Sequence, residues 1–248
     1  MPPSGKTKTD SRAAHQNRLL ATLPAKNLQV FLENCERITL ARAEVLCELG
    51  ERIRHVYFPI DSCISLMALV DDRASLEVGI IGHEGMLGTS LILGLNISPL
   101  HAVIQGPGIC LRMTAAAFCR QCTRSTVLRE RIHQYVCVLM SQLAQTAACT
   151  RHHVIETRLA HRLLLTRDRA RANHFSLTHE LLAYVLGVRR VGITQAASSL
   201  QDRGLIAYRR GEIIILDGAG LERATCDCYQ NGNAMYDRAL GAPDRSLS

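Results

Sequence analysis

Arg190, the neighbours Thr194 and Gln195, and Ser198 recur at steps of three to four residues, preceded by Arg189, and no acidic residue occurs between positions 181 and 201. On a helix this spacing places them along one face, joined by Val191. Ile193, Ala196, Ala197 and Leu200 fall on the opposite face, where small alanines permit close packing. The outward set suits the edges of base pairs: arginine grips guanine through two hydrogen bonds and glutamine does the same for adenine. Arg209 and Arg210 lie beside Gly211 between two apolar runs, which reads as a hairpin with a basic tip, a wing. Thr178 and His179 begin the preceding helix, where side chain and backbone N–H groups can meet phosphate. This is the chemistry of gripping a polyanion, with Gly187 as the break between the two helices.

Bond-making chemistry has thinner support. Cys119 and Cys122 have the spacing of a redox pair, and Cys226 and Cys228 form a second close pair. One pair supplies only two of the four ligands usual for zinc, so neither a metal nor a cofactor is expected. His83 and His101 are isolated candidates for haem or metal ligation. No Ser/His/Asp arrangement and no phosphate loop occurs, and the expectation is a protein that is not an enzyme. A thiol enzyme using Cys119 and Cys122 is the rival reading.

The 248 residues are 47% hydrophobic and 4% aromatic, with no tryptophan, which allows a substantial core and disfavours base-stacking platforms. Charge is unevenly spread. Residues 151–215 carry 11 arginines against five acids, most of the chain's net charge of +7. The polar start has no secretory pattern and no apolar run reaches membrane-spanning length, so a cytoplasmic location is expected.

The elements that must position these residues follow from period and punctuation. Short alternating runs at residues 54–58, 63–70, 74–81, 102–105 and 109–113 predict strands, with turns at Asp71-Asp72 and Gly106-Pro107-Gly108. The period then lengthens. Thr114 caps a short helix, and residues 126–148 predict a long one whose Leu128, Ile132, Tyr135, Leu139 and Leu143 suit a dimer seam. Residues 154–167 predict a helix with Leu159, Leu163 and Leu164 inward and Arg158, Arg162 and Arg167 outward. The fold class is therefore α+β: an N-terminal β-roll (jelly-roll-like), a long dimerisation helix and a C-terminal winged helix-turn-helix. The expected divisions are a flexible tail at 1–20, the roll at 21–122, the dimer helix at 123–150 and the DNA-binding domain at 151–248.

Residues 178–190, continuing through Leu200-Gln201-Asp202-Arg203-Gly204-Leu205-Ile206, resemble the helix-turn-helix of Crp–Fnr regulators, and the order of elements matches theirs over nearly the whole chain. The resemblance implies a homodimer that binds double-stranded DNA and regulates transcription, with RNA polymerase as a partner if it activates. It places Arg190 at the family's guanine-reading position, while Val191 and Gln195 replace readers of the cyclic-AMP-binding members. It also implies a ligand pocket around Gly82, Glu84, Gly85, Met86, Leu87 and Gly88. No arginine lies between Arg73 and Arg112 to pair with a cyclic phosphate there, so cyclic AMP in the usual mode is not expected. The first cysteine is Cys35, too late for an N-terminal iron–sulfur cluster. Gating by another ligand or a redox signal, and a roll reduced to a scaffold, both stay open.

Overall fold

The computed structural model describes residues 16–69 and 75–241. The opening helix α1 (Arg18–Ala21) is capped by Asn17, whose side-chain oxygen accepts from the Leu20 N–H at 3.1 Å. The Asn17 amide donates to the carbonyls of Pro59 and Gly85, and Leu19 and Leu20 are buried. The expectation of a flexible tail through residue 20 is thus corrected from Asn17 onward, because capping and burial fix the chain there. Residues 1–15 lie outside the described part.

Helix α2 (Ala25–Leu32) leads into β1 (Glu36–Leu40), β2 (Val45–Cys47), β3 (His55–Pro59), β4 (Cys63–Leu69), β5 (Ser75–Ile81), β6 (His101–Gly106) and β7 (Gly108–Thr114). All pairings are antiparallel, in two sheets ordered β1-β7-β3 and β2-β6-β4-β5. Strands β4 and β5 bracket residues 70–74, so the Asp71-Asp72 turn lies outside the described residues. The Gly106-Pro107-Gly108 turn does not close a hairpin; it carries the chain from one sheet to the other. Glycine is required at 108, where a Cβ would sit 2.5 Å from the Asp61 carboxylate and 2.9 Å from the Ser62 nitrogen.

Thr114 caps α3 (Ala115–Arg124), as its position in the sequence predicts. The long helix α4 (Thr126–His152) follows, capped by Ser125. Here the structure corrects the expected seam. Leu128, Ile132 and Tyr135 are buried in the chain's own core with Phe31, Phe58 and Phe118, so they have no surface for a partner. Leu139 and Leu143 are only half-buried.

Helix α5 (Ile155–Ala170) starts two residues beyond α4, at an elbow of His153 and Val154. Its leucines at 159, 163 and 164 enter the C-terminal core as expected. Its arginines do not point outward. Arg162 and Arg169 are buried against the roll, Arg158 is buried against Leu186, and Arg167 is half-buried against Asp168, Glu222 and Tyr229. Arg162 pairs with Glu77 at 2.5 Å and Arg169 with Glu84 at 2.9 Å, and Arg158 donates to the Leu186 carbonyl. A guanidinium can be buried when a carboxylate and further hydrogen bonds meet it, and Gln105 also accepts from Arg162.

The rest of the chain comprises β8 (His174–Ser176), α6 (His179–Leu186), α7 (Arg190–Asp202), β9 (Ile206–Arg209), β10 (Glu212–Ile215), α8 (Gly218–Ala224) and α9 (Asp227–Leu240). Helix α9 turns back to pack along α4, with Tyr236 and Leu240 in the N-terminal core. The reading of 151–248 as one domain therefore changes: the part through α8 builds the second core, while α9 spans both, with Tyr229 in the second and Tyr236 and Leu240 in the first.

Candidate nucleic-acid interface

Helix α6 begins at Thr178, whose hydroxyl accepts from the Leu181 N–H at 3.1 Å. It ends in a Schellman turn: Gly187 N–H donates to the Tyr184 carbonyl and Val188 N–H to the Ala183 carbonyl. Gly187 has φ +62°, a conformation that glycine adopts without the penalty other residues meet. The turn delivers the chain to α7, whose N-cap residue Arg189 makes no side-chain cap and whose first turn holds no acid. The positive end of α7 is thus available to an anion. Gly192 lets α7 sit close to α5, since a Cβ there would lie 2.7 Å from Ile155 Cδ1.

The two faces of α7 sort as the sequence indicates. Ile193, Ala196, Ala197 and Leu200 are buried; Arg190, Val191, Thr194, Gln195 and Ser198 are exposed, as is Arg189. Strands β9 and β10 pair Arg209 with Glu212 across a two-residue turn, Arg210 and Gly211, with φ of +53° and +86°. Two successive positive values are the signature of the mirror-image hairpin turn that matches strand twist. Arg209 and Arg210 are exposed at this tip. A third strand, β8, which the sequence reading did not anticipate, pairs with β10.

Thr178 and His179 also hold the reader together. The Thr178 oxygen accepts from the Leu181 N–H, which leaves its O–H to donate outward, and the His179 N–H donates to the Tyr208 hydroxyl at 3.2 Å. The His179 ring stacks on Tyr208 with centroids 4.2 Å apart, and its Nδ1 lies 3.1 Å from the Thr194 hydroxyl. That hydroxyl donates to the Arg190 carbonyl, so the imidazole is the donor to Thr194. Burial, aided by the Arg190 charge, pushes the His179 imidazole below its usual range and keeps it neutral. His179 therefore joins α6, α7 and the wing. Tyr208, its stacking partner, was not singled out in the sequence, where it reads only as a strand residue.

The glycine-rich segment of the roll packs against the long helices. Glu84 is buried against Arg169 and accepts from the Gly82 N–H. A Cβ on Gly82 would strike Arg169, and one on Gly85 would strike the Tyr135 ring. Gly82, Glu84 and Gly85 thus seat helices α4 and α5. Met86, Leu87 and Gly88 line an apolar cleft of about 190 Å³ between the roll and α4, with Tyr57, Leu100 and Leu139.

Among the thiols, Cys119 is exposed and Cys122 is buried. Burial, with Cys119 beside it, pushes Cys122 up to about 12, which opposes the thiolate a redox pair needs. His83 Nδ1 lies 3.4 Å from the Arg169 carbonyl, and His101 pairs with Glu48 at 2.7 Å. A different group gathers at the elbow: the ligand atoms of Cys149, His153, Cys226 and Cys228 all lie within 4.8 Å of one another.

A strand-rich roll, a long helix and a reader built from two helices and a wing define a winged helix-turn-helix protein. Residues 157–224 match the family model described as the Crp-like helix-turn-helix domain. Residues 157–224 thus carry a helix-turn-helix domain of the Crp-like kind. The solved structure of a putative Crp/Fnr transcriptional regulator from Eubacterium rectale is similar, at 17% identity and TM-score 0.64, covering 83% of this chain and 96% of that one. FixK2 from Bradyrhizobium japonicum aligns at 13% identity and TM-score 0.64 over 77% of this chain and 98% of its own. CLP of Xanthomonas campestris, described as c-di-GMP responsive, aligns at 15% and 0.61 over 77% and 99%. At these identities the likeness is one of fold. No curated protein sequence matches the chain.

Proposed function

We propose that the chain acts in the cytoplasm as a homodimer that binds double-stranded DNA sequence-specifically. Arg190, Gln195 and Ser198 read base edges, with Thr194 contributing its methyl face. Arg189, Arg209 and Arg210 hold phosphates. The observation that carries this reading is the outer face of α7: exposed, free of acids and starting from an uncapped helix end. Two protomers reading half-sites about one helical turn apart would bind a two-fold-related operator. A protomer that activates would also meet RNA polymerase.

The partner meets α4 on a different stripe from the buried leucines. Cys137, Met140, Ala144 and Ala147 follow one another at spacings of three and four and are exposed, flanked by the half-buried Leu139 and Leu143. That spacing and the small side chains suit a helix–helix seam. Gating by cyclic AMP in the usual mode finds no support, because the buried Glu84 is already spent on Arg169. The apolar cleft beside Met86 suits an apolar effector instead.

Selection of binding sites from random DNA tests the reading, with wild type and Arg190→Ala side by side. The variant is expected to lose about 1–3 kcal/mol of operator affinity and to relax one base position. An unchanged sequence preference in the variant would sink the assignment of α7 as the reading helix.

A further inference from the structure

We propose that Cys149, His153, Cys226 and Cys228 form a structural zinc site that clamps the elbow between α4 and α5 to the start of α9. The four come from two separate places: Cys149 and His153, four residues apart across the end of α4, and Cys226 and Cys228 at the start of α9. The two pairs lie more than 70 residues apart in sequence, so folding has assembled the group. Their ligand atoms lie within 4.8 Å of one another, with Cys149 Sγ 3.8 Å from Cys226 Sγ and Cys228 Sγ 3.7 Å from His153 Nδ1.

These distances are the edges of a particular polyhedron. Zinc sits about 2.3 Å from a thiolate sulfur and about 2.0–2.1 Å from an imidazole nitrogen in a tetrahedron. The corresponding edges are about 3.8 Å for sulfur to sulfur and about 3.5 Å for sulfur to nitrogen. A disulfide would need the sulfurs about 2.0 Å apart. Three cysteines and one histidine, all from the protein, make a closed set of the structural kind and leave no position for substrate.

The surroundings suit the charge that binding creates. Zinc binding deprotonates three thiols, releases three protons and leaves the site with one net negative charge. Cys226 is the N-cap of the 14-residue α9 and Cys228 lies in its first turn, where the helix dipole favours thiolates. Gln145 donates to Cys228 Sγ at 2.9 Å, the kind of outer hydrogen bond that orients a metal ligand.

Metal analysis of the full-length protein, purified from reducing cells without chelator, tests the site. One zinc per chain is expected in wild type, in Cys119→Ser and in Cys137→Ser, and none in Cys226→Ser/Cys228→Ser. Cobalt(II) titrated into chelator-stripped wild type should produce the intense visible bands of a tetrahedral thiolate site, with the thiolate-to-cobalt charge transfer falling by about one third in Cys149→Ser. That second measurement uses wild type and does not depend on the double variant folding. The proposal fails if wild type holds no zinc and gives no tetrahedral cobalt spectrum, if the double variant keeps its zinc, or if a Cys149–Cys226 disulfide is found in the protein from those cells. It stands or falls separately from DNA reading.

Discussion

His179 shows how packing gives a residue a part that its sequence position does not announce. Sequence position puts it at the head of α6, where an exposed imidazole would meet phosphate. Packing turns the ring onto Tyr208 and Thr194 instead, contacts 29 and 15 residues away that no local spacing announces. Its lowered pKa has a checkable sign. With the folded value below the ordinary 6.5, the neutral ring contributes stability that is complete above about pH 6.5 and is lost as the pH falls toward the folded value. The stability difference between wild type and His179→Gln should therefore shrink between about pH 7.5 and pH 5.5 in urea unfolding. A difference that grows on acidification would show that the imidazole is stabilised as a cation. The arginine face of α7 was legible because base reading needs donors at helical spacing and a lack of acids, and both are properties of the sequence itself.

At the scale of elements, punctuation was more legible than partnership. Thr114, Thr178 and Gly187 act where their types predict, since caps and left-handed turns are local. Gly187→Ala should destabilise the protein by about 1–2 kcal/mol through the positive φ alone. Leu76 Cδ1, 3.2 Å from the added Cβ, would have to yield as well, and thermal unfolding measures the sum. Helix α4 was harder to read, because it carries two apolar stripes and periodicity cannot say which one faces the chain's own core. Burial of Leu128, Ile132 and Tyr135 leaves the Cys137, Met140, Ala144 and Ala147 stripe for a partner. Ala144→Glu is accordingly expected to shift sedimentation from dimer to monomer while leaving the helical circular dichroism unchanged. For the wing, each phosphate contact contributes about 0.9 to the slope of log affinity against log salt. Arg209→Ala/Arg210→Ala should flatten that slope by up to about 2, equally on cognate and random DNA.

At the scale of the whole molecule, the order of roll, long helix and winged reader was legible, and the way the parts meet was not. Arg162 read as a surface arginine because its carboxylate partner, Glu77, lies 85 residues earlier in the chain, and the same separation hid the Arg169–Glu84 pair. Removing one member of such a buried pair strands the other. Glu77→Ala should cost about 3–5 kcal/mol in urea unfolding, whereas Glu77→Leu/Arg162→Met should restore most of it. The return of α9 to the N-terminal core was equally hidden, since its amphipathic pattern fits either core. That return makes the DNA reader an insertion and not an appendage. It leaves the N-terminal body at His153 and rejoins it at Cys226, two points whose side chains touch. A segment whose two ends meet at one spot, and whose flank is held to the roll by the Arg162–Glu77 and Arg169–Glu84 pairs, cannot drift from the body that carries it. The reader is in this sense a closed loop clasped along one side.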